Sequence, residues 1–402
     1  MTLETLYFIK EAVDERPAEL VEARKNGSKV VGYLCCYIPE EIITALDLIP
    51  VRLGRGGNER LVELGGHYIS TQNCVFARES VGLFLEKNDP YVKNADIVAV
   101  SASCMQMYRV AELIRYYTKS NTIILGVPRN FYTDEGREYF RKEMQWFVEN
   151  LEGSTGKKLD KKKLEKAIEL HKNIRNAIVE IYKFQAQENS PIKWREVFDI
   201  IHAGFYLDRT RYLNLLNNLI VEIKEKNKVN GLEKKVNINI TNKQNGNSHP
   251  KILLSGSILS PGDTKLINLI DEMGGRIVAD DICTGLRPFV NINIKSPTIK
   301  GIADAYLDRI PCASLPYLPS LETDRRIKNL SNLIEEFQPE GMIYHTLRFC
   351  DAFSFKANET KNYFNNLPFL EIHTEYAGSD IEGARTRVEA FLEVLREKKE
   401  RI

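Results

Sequence analysis

The strongest constraint on the fold is a repeated alternation of short β-branched runs with amphipathic helical patterns. In the first half, strand-like runs lie at residues 29–36, 49–53, 96–104 and 121–128. In the second half they lie at residues 251–259, 276–283, 341–350 and 369–376. Strands that alternate with helices in this way predict parallel sheets with helices on both faces.

The chain is therefore predicted to be an α/β protein with two doubly wound parallel-sheet domains of the Rossmann or flavodoxin type. Between them, three long helical patterns without a strand signal predict a helical insert. The predicted segments are an N-terminal helix (1–28), α/β domain 1 (29–132), a helical region (133–232), a polar linker (233–249) and α/β domain 2 (250–402).

Charge and hydropathy argue against several classes of partner. The formal net charge of the 402 residues is +1, so no global field attracts nucleic acid or a membrane surface. No apolar run approaches the roughly 18 residues that cross a bilayer. The first 20 residues carry acids through their apolar stretch and lack a basic start, which favours an amphipathic helix in a cytoplasmic protein.

Seven cysteines carry the strongest chemical signal, although none forms a CxxC pair. Doubly wound sheets place reactive groups at the carboxyl ends of their strands, and Cys35, Cys104, Cys283 and Cys350 each end a strand-like run. Isolated cysteines are often small buried hydrophobes. Convergence at strand ends favours instead a shared site, because thiolates are soft ligands that select iron–sulfur clusters or zinc.

Two further cysteines lie outside the strand ends. Cys74 directly precedes a predicted helix, where the helix dipole and unpaired N–H groups favour a thiolate. Cys312 follows Pro311 in a loop.

Four segments resemble the 2-hydroxyacyl-CoA dehydratase and benzoyl-CoA reductase family. The run GYLCCYIPEEIITALDLIPVRL is similar to the opening motif of that family. The contexts STQNCVFAR, SASCMQMYR and HTLRFCD look like its three cluster-ligand segments. The resemblance runs in order from about residue 28 to residue 400 and implies that Cys74, Cys104 and Cys350 hold one [4Fe–4S] cubane.

Within the family, the chain most resembles the double-cubane cluster proteins. In those proteins two [4Fe–4S] units are joined by a bridging sulfide and each is held by three cysteines. The resemblance implies that Cys35, Cys283 and Cys312 hold the second unit. Cys36 is the alternative to Cys35, because neighbouring strand residues face opposite ways and the register decides between them.

The resemblance also implies the partners and the activity. Family members receive low-potential electrons from a separate ATP-hydrolysing activator that carries its own [4Fe–4S] cluster. This chain has no GxxxxGK[ST] motif, so any dependence on ATP would come from that partner. A double-cubane protein would be a homodimer that reduces small molecules, with acetylene as the model substrate.

Candidate substrate contacts are less specific. Arg52 and Arg55 flank a glycine-rich turn that could contact an anionic substrate or the reductase, or could simply be solvated. Ser257 lies in SGSILSPGD, which resembles the family's substrate hydroxyl site; Ser260 or Asp263 in the same segment is also explained as a helix N-cap.

Residues next to the cysteines have possible supporting roles. His345 is a candidate proton donor near the cluster, although a hydrogen-bonded core histidine is the more common reading. Gln72 and Asn73 flank Cys74 and could donate hydrogen bonds to cluster sulfurs.

Two other functions are compatible with the sequence. A subunit of a dehydratase or aryl-CoA reductase would use one cubane on an acyl thioester and would need a second, different subunit together with a CoA pocket. A non-catalytic electron carrier or cluster scaffold would have no substrate pocket. Six cysteines argue against the first, because three of them would be idle.

Overall fold

Two four-stranded parallel sheets dominate the protein. The structure is a computed structural model and describes residues 3–229, 249–315 and 324–400. The first sheet contains β1 (Val30–Leu34), β2 (Ile49–Arg52), β3 (Ile97–Ala102) and β4 (Thr122–Gly126) in the order β2-β1-β3-β4. The second contains β5 (Lys251–Gly256), β6 (Arg276–Asp281), β7 (Gly341–Leu347) and β8 (Phe369–Thr374) in the order β6-β5-β7-β8.

The two sheets share one topology. In each, the chain moves from the first strand to one neighbour and then crosses back to the other side, so the order reverses beside β1 and beside β5. All pairings are parallel. The predicted α/β fold with two doubly wound sheets is confirmed, and the crevices at the reversal points are where such folds bind ligands.

Helices cover the sheets and fill the region between them. The helices before and around the first sheet are α1 (Glu4–Lys25), α2 (Glu40–Ala45), α3 (Glu59–Gly66), α4 (Val75–Glu86), α5 (Pro90–Asn94) and α6 (Met105–Thr118). The central helices are α7 (Asp134–Thr155), α8 (Lys161–Gln185), α9 (Trp194–Ala203) and α10 (Arg209–Val229). Around the second sheet lie α11 (Lys265–Glu272), α12 (Ile299–Asp308), α13 (Arg325–Phe337), α14 (Asp351–Tyr363) and α15 (Ile381–Glu400), with short 3-10 turns at Arg287–Phe289 and Gly378–Asp380.

The central helices connect the two sheets. Helix α8 packs against α2 and reaches the second sheet, where the Gln185 side chain donates to the Val278 carbonyl at 2.5 Å. Helix α7 packs against α12, and Arg141 holds Asp304 through two hydrogen bonds of 3.0 Å. One hydrophobic core cluster accordingly includes residues of both sheets and of the central helices.

The predicted linker and the predicted segment boundaries are not settled by the described residues. The predicted linker 233–249 lies outside the described residues except for its last residue. The segment boundaries drawn from the sequence stay predictions. Within the described ranges, no helix is both long enough and apolar enough to cross a bilayer.

Helices α3 and α4 approach each other closely through glycines. A Cβ added at Gly82 would lie 2.0 Å from the Leu61 carbonyl oxygen, far inside van der Waals contact. Gly153, near the end of α7, has no atom within 4 Å of the same position. Gly82 therefore permits backbone contact, whereas Gly153 does not need to be glycine.

The pair Gly82→Ala and Gly153→Ala tests this packing. Alanine is favoured over glycine in a helix by roughly 1 kcal/mol, so Gly153→Ala should stabilise the protein slightly. Gly82→Ala should lower the free energy of unfolding by about 1–3 kcal/mol, because α3 and α4 must separate. Urea unfolding followed by circular dichroism measures both, and equal effects of the two changes would contradict the packing.

Candidate functional site

The carboxyl ends of strands from both sheets meet at one crevice. The turn after β2 contacts the loop after β5, where the Gly56 amide donates to the Pro261 carbonyl at 3.0 Å. Arg52, at the end of β2, donates to the Cys283 carbonyl after β6 at 3.1 Å. Loops that carry the cysteines of the two halves therefore face the same space.

Three cysteines occupy equivalent positions at the start of helices. Cys74, Cys104 and Cys350 directly precede α4, α6 and α14, respectively. The Met107 amide donates to the Cys104 sulfur at 3.5 Å. We call these three residues the first cysteine group. Each lies where unpaired backbone N–H groups and the helix dipole favour negative charge.

The thiols of the first cysteine group interact. A hydrogen bond joins the Cys74 and Cys350 thiols, which lowers the pKa of Cys74 and raises the pKa of Cys350. Burial raises the pKa of Cys104 to about 12, and negative charge on Cys312 and on Cys74 contributes in the same direction. Without a cation, these three thiols therefore cannot all ionise together.

The remaining cysteines form a second group. It consists of Cys35 and Cys36 after β1, Cys283 after β6, and Cys312 in the loop after α12. Burial raises the pKa of Cys283 to about 11, and charge on Cys36 and Cys312 acts in the same direction. All four are only partly accessible.

The two cysteine groups are neighbours. The Cys104 thiol is close enough to Cys312 that charge on Cys312 raises its pKa. The loop that carries Cys312 is fixed to the end of β3, since the Ser314 hydroxyl donates to the Ser103 carbonyl at 2.7 Å. Arg129 holds the same loop by donating to the Ser314 carbonyl at 2.6 Å.

Cys35 and Cys36 have different surroundings. Cys35 adopts a left-handed backbone conformation with φ of 77°, so strand geometry ends before it. Its sulfur lies 3.2 Å from the Ser103 hydroxyl. The Cys36 sulfur instead accepts a hydrogen bond of 3.3 Å from Arg309. A hydrogen bond from Cys35 lowers the pKa of Cys36 well below its ordinary value, and nearby arginines lower it further.

Three buried arginines surround the second cysteine group. The Arg309 guanidinium lies 4.2 Å from the Tyr37 ring centre, and Arg52 lies 4.5 Å from that of Phe205. Arg287 is paired with Asp281, to which its Nε donates at 2.8 Å. Arg309 Nε and Arg287 Nη1 are buried without a hydrogen-bond partner. Arg52 and Arg309 therefore hold positive charge beside the thiols, whereas the charge of Arg287 is balanced by Asp281.

The sequence did not predict that Arg287 and Arg309 lie at the site. Each lies within four residues of a cysteine of the second group, Arg287 after Cys283 and Arg309 before Cys312. For Arg287 the available signal was an arginine between Leu286 and Pro288, close to a strand-end cysteine; Arg309 follows Asp308 and had no such signal. Arg52 was predicted at the site, and its side chain is buried with only 5% exposed.

The donor chemistry fits an iron–sulfur cluster better than a single metal ion. Within the described residues, no three cysteine, histidine or carboxylate side chains are close enough together to hold one ion. Cysteines that bind a cluster contact separate irons and surround a volume instead of one point. Buried thiols, helix N-termini and unpaired guanidinium N–H groups supply the ligands and the compensating charge that such a group needs.

The predicted residues His345 and Ser257 belong to one hydrogen-bonded set between β5 and β7. His345 Nε2 lies 2.7 Å from the Thr374 hydroxyl, and the Leu347 amide donates to the Ser257 hydroxyl at 2.8 Å. Burial lowers the pKa of His345 to about 3, so its ring is neutral near pH 7. Proton donation by His345 and substrate contact by Ser257 stay predictions.

The other predicted neighbours have protein partners or face solvent. Arg55 donates to Asp89 at 3.1 Å and lies over the rings of Tyr91 and Tyr206. The Asn73 side-chain oxygen accepts from Arg109 at 3.1 Å. Gln72 is exposed.

Two buried acids lie beside the crevice: Glu79, which the sequence did not single out, and Asp263, which it singled out only as a possible helix N-cap. Burial raises the pKa of Glu79 to about 8 and that of Asp263 to about 7. One oxygen of each carboxyl and the Tyr376 hydroxyl have no hydrogen-bond partner. A Cβ added at Gly56 would lie 2.8 Å from the Asp263 Cβ and 3.1 Å from the Tyr376 hydroxyl, so these groups converge beside the glycine turn.

Comparison with known proteins gives one family. The family described as "2-hydroxyglutaryl-CoA dehydratase, D-component" matches residues 35–395. The chain is 23% identical to the putative dehydratase subunit YjiM of Escherichia coli (strain K12), over 94% of each chain. It is 22% identical to the (R)-phenyllactyl-CoA dehydratase beta subunit of Clostridium sporogenes, over 92% of this chain and 93% of that protein. It is also 22% identical to a benzoyl-CoA reductase subunit of Thauera aromatica, over 87% of this chain and 84% of that protein.

The substitution Glu79→Gln tests the buried acids through the pH dependence of stability. The Glu79 carboxyl keeps its proton in the folded protein up to about pH 8, whereas an unfolded glutamate loses it near its ordinary pKa. Its stabilising contribution is therefore lost as pH rises toward 8. From pH 5.5 to 8.5, the wild type should lose about 1–3 kcal/mol that Glu79→Gln retains.

Chemical denaturation at several pH values measures this difference, and Glu63→Gln is the matched control. Glu63 lies on α3, which packs against α4, but its side chain is exposed. The control should follow the wild type across the range. Parallel curves for the wild type and Glu79→Gln would show that the Glu79 carboxyl is ionised in the folded protein.

Proposed function

The chain belongs to the 2-hydroxyglutaryl-CoA dehydratase, D-component family, and from this premise we propose that it is an iron–sulfur reductase. It would hold a double-cubane cluster, receive electrons from an ATP-hydrolysing activator and reduce small molecules. The observation that carries this proposal is the meeting of two neighbouring cysteine groups in one crevice, each able to supply three thiols.

The residues divide between the two cubanes according to their groups. Cys74, Cys104 and Cys350 would hold the first unit. Cys283 and Cys312, together with one member of the Cys35–Cys36 pair, would hold the second. When bound, such a cluster accepts and donates electrons one at a time.

Cys36 is the better candidate within its pair, although the family motif favours Cys35. The Cys36 sulfur accepts from Arg309, and Arg52 and Arg287 also favour its thiolate. Only a thiolate binds iron, so the member that ionises more readily has the advantage. Cys35 would then act on its neighbour by donating its thiol hydrogen.

The surrounding side chains supply charge compensation. Helix N-termini face the first group, and buried arginines face the second. Groups that surround the ligands in this way tune the potential of a cluster and limit access of water to it. The arginines also reduce repulsion among the thiolates, so that all of them can bind metal at neutral pH.

The proposed partners rest on two grounds: the sequence has no motif of a P-loop ATPase, and the chain belongs to this family. No GxxxxGK[ST] motif is present in the sequence, so ATP would be hydrolysed by a separate activator with its own [4Fe–4S] cluster. A homodimer would be the functional form. These partners are part of the proposal, as are the cytoplasmic location and the small-molecule substrate.

A second candidate is favoured by the relatives. They are named as subunits of dehydratases and of a CoA reductase. On that reading the first cysteine group would hold one [4Fe–4S] cluster next to an acyl thioester, and a different subunit would complete the enzyme. Cys36, Cys283 and Cys312 would then be buried thiols without metal, although three arginines are placed beside them.

Metal analysis separates the two readings. After strictly anaerobic purification the wild type should contain roughly eight irons per chain with matching acid-labile sulfide. Cys283→Ser and Cys312→Ser should each reduce this to about four, because one cubane loses a ligand. About four irons in the wild type would support the dehydratase reading, and zinc or no metal after reconstitution would exclude both.

The matched variants Cys35→Ser and Cys36→Ser identify the ligand within the pair. Cys36→Ser should lose about half of the iron, whereas Cys35→Ser should retain it. The reverse result would assign Cys35 as the ligand, as the family motif indicates.

Turnover separates an enzyme from an electron carrier. With the activator, ATP and a reductant, the anaerobic protein should reduce acetylene, and omission of either ATP or the activator should abolish the reaction. A protein that becomes reduced, as followed by its visible absorbance, yet converts neither acetylene nor a 2-hydroxyacyl-CoA would instead be a carrier or scaffold.

A further inference from the structure

A cavity of about 80 Å³ lies beside Cys36, where the first sheet, the central helices and the second half of the chain meet. Arg52, Arg309 and the Cys36 side chain form part of its wall, and Ile292 and Phe289 contribute from the loop after β6. None of the other cysteines lines it. Sites at the meeting of structural regions are common places for small ligands.

The cavity wall is mixed, with apolar side chains beside several charged ones, and its carboxylates are already occupied. Arg209 donates to Glu40 at 2.6 Å, and Arg175 donates to Glu41 at 2.7 Å. The Tyr306 hydroxyl donates to the second Glu41 oxygen at 2.7 Å. These paired groups make a rigid wall and offer no strong free acceptor.

Two lining arginines are not neutralised in this way. Within the described residues, neither Arg52 nor Arg309 has a carboxylate within ion-pair distance. Arg309 Nε is buried without a hydrogen-bond partner, and Arg309 as a whole is only 3% exposed. His171 is also in the wall, and burial lowers its pKa. The lining arginines therefore outnumber the lining carboxylates, which leaves an excess of positive charge.

The volume limits what can enter. A cavity needs roughly 10–15 Å³ to hold one water molecule, so 80 Å³ accommodates about five waters or a molecule of about that many heavy atoms. An acyl-CoA thioester is far too large. A small anion is suited both to the size and to the guanidinium groups, which bind oxyanions through planar hydrogen bonds.

We propose that this cavity binds a small anion of about three to five heavy atoms, held by Arg52 and Arg309 next to Cys36. Its identification as the substrate site rests on the proposed reductase function, whereas binding of the anion does not. The substrate class is then a small inorganic or one-carbon anion, which lies beside the second cysteine group and not beside the first.

Bromide and formate are the probes. Crystals of the anaerobically purified protein, soaked in bromide, should show an anomalous peak in the cavity beside Arg309. In solution, formate should bind saturably by calorimetry and bromide should compete with it, whereas benzoate should not bind because its ring exceeds the volume.

A matched pair of variants tests the cavity itself. Ile292→Trp fills it from one wall, and affinity for formate should fall about tenfold or more. Ile294→Trp makes the same change two residues away, where the side chain is equally half-buried but does not line the cavity, and affinity should stay at the wild-type value.

The outcomes distinguish this inference from the proposed function. Iron is counted on the same samples. Absence of anomalous density in the cavity, or equal affinity of both tryptophan variants, would overturn the anion site even if roughly eight irons are present. Formate binding that Ile292→Trp removes in a sample without iron would support the anion site while the reductase proposal fails.

Discussion

The structure depends on how a single crevice accommodates several buried thiols. Thiolates in a low-dielectric space repel one another, and burial alone disfavours each charged form. The pKa values of Cys104 and Cys283, about 12 and 11, express this cost. The fold offsets it in two ways: helix N-termini meet the first cysteine group, and buried arginines meet the second. A cationic cluster core would complete the compensation, which is the physical reason to expect metal in this crevice.

The same crevice explains why the two halves of the chain must be fixed relative to each other. Its walls come from loops of both sheets, so a shift of one half would separate the ligands. Contacts across it are backbone-based, as between Gly56 and Pro261, or use a buried cation, as between Arg52 and the Cys283 carbonyl. The central helices fix the halves from the other side through Gln185 and the Arg141–Asp304 pair. A frame of this kind keeps the cysteines of both groups in place, as a preorganised metal site would require.

Much of this architecture could be predicted from the sequence because strands and helices depend on the pattern of residues that are close together in the chain. Alternating runs give the two parallel sheets, and a cysteine directly before a helical pattern gives an N-cap thiol such as Cys74.

The choice between Cys35 and Cys36 could not be made by strand alternation, because the positive φ of Cys35 ends the strand there. Contacts between distant parts of the chain, which local patterns do not show, bring four further residues to the crevice: Arg287, Arg309, Glu79 and Asp263. His345 shows the converse, since a residue of suitable type and position has its hydrogen bonds satisfied by Thr374 and Ser257.

The two cysteine groups are electrostatically unequal, and this asymmetry connects the proposed cluster with the proposed anion site. Helix N-termini contribute partial charges, whereas Arg52 and Arg309 contribute full ones in a buried setting, and the charge of Arg287 is balanced by Asp281. If the second group holds a cluster, an added electron would be stabilised more strongly there, because positive surroundings favour the reduced form of a cluster. The cavity adjoins this group through Cys36 and Arg309. Arg52 and Arg309 would thus both stabilise an electron at the second group and hold an anionic acceptor, so charge compensation and substrate binding would be two consequences of one arrangement of arginines.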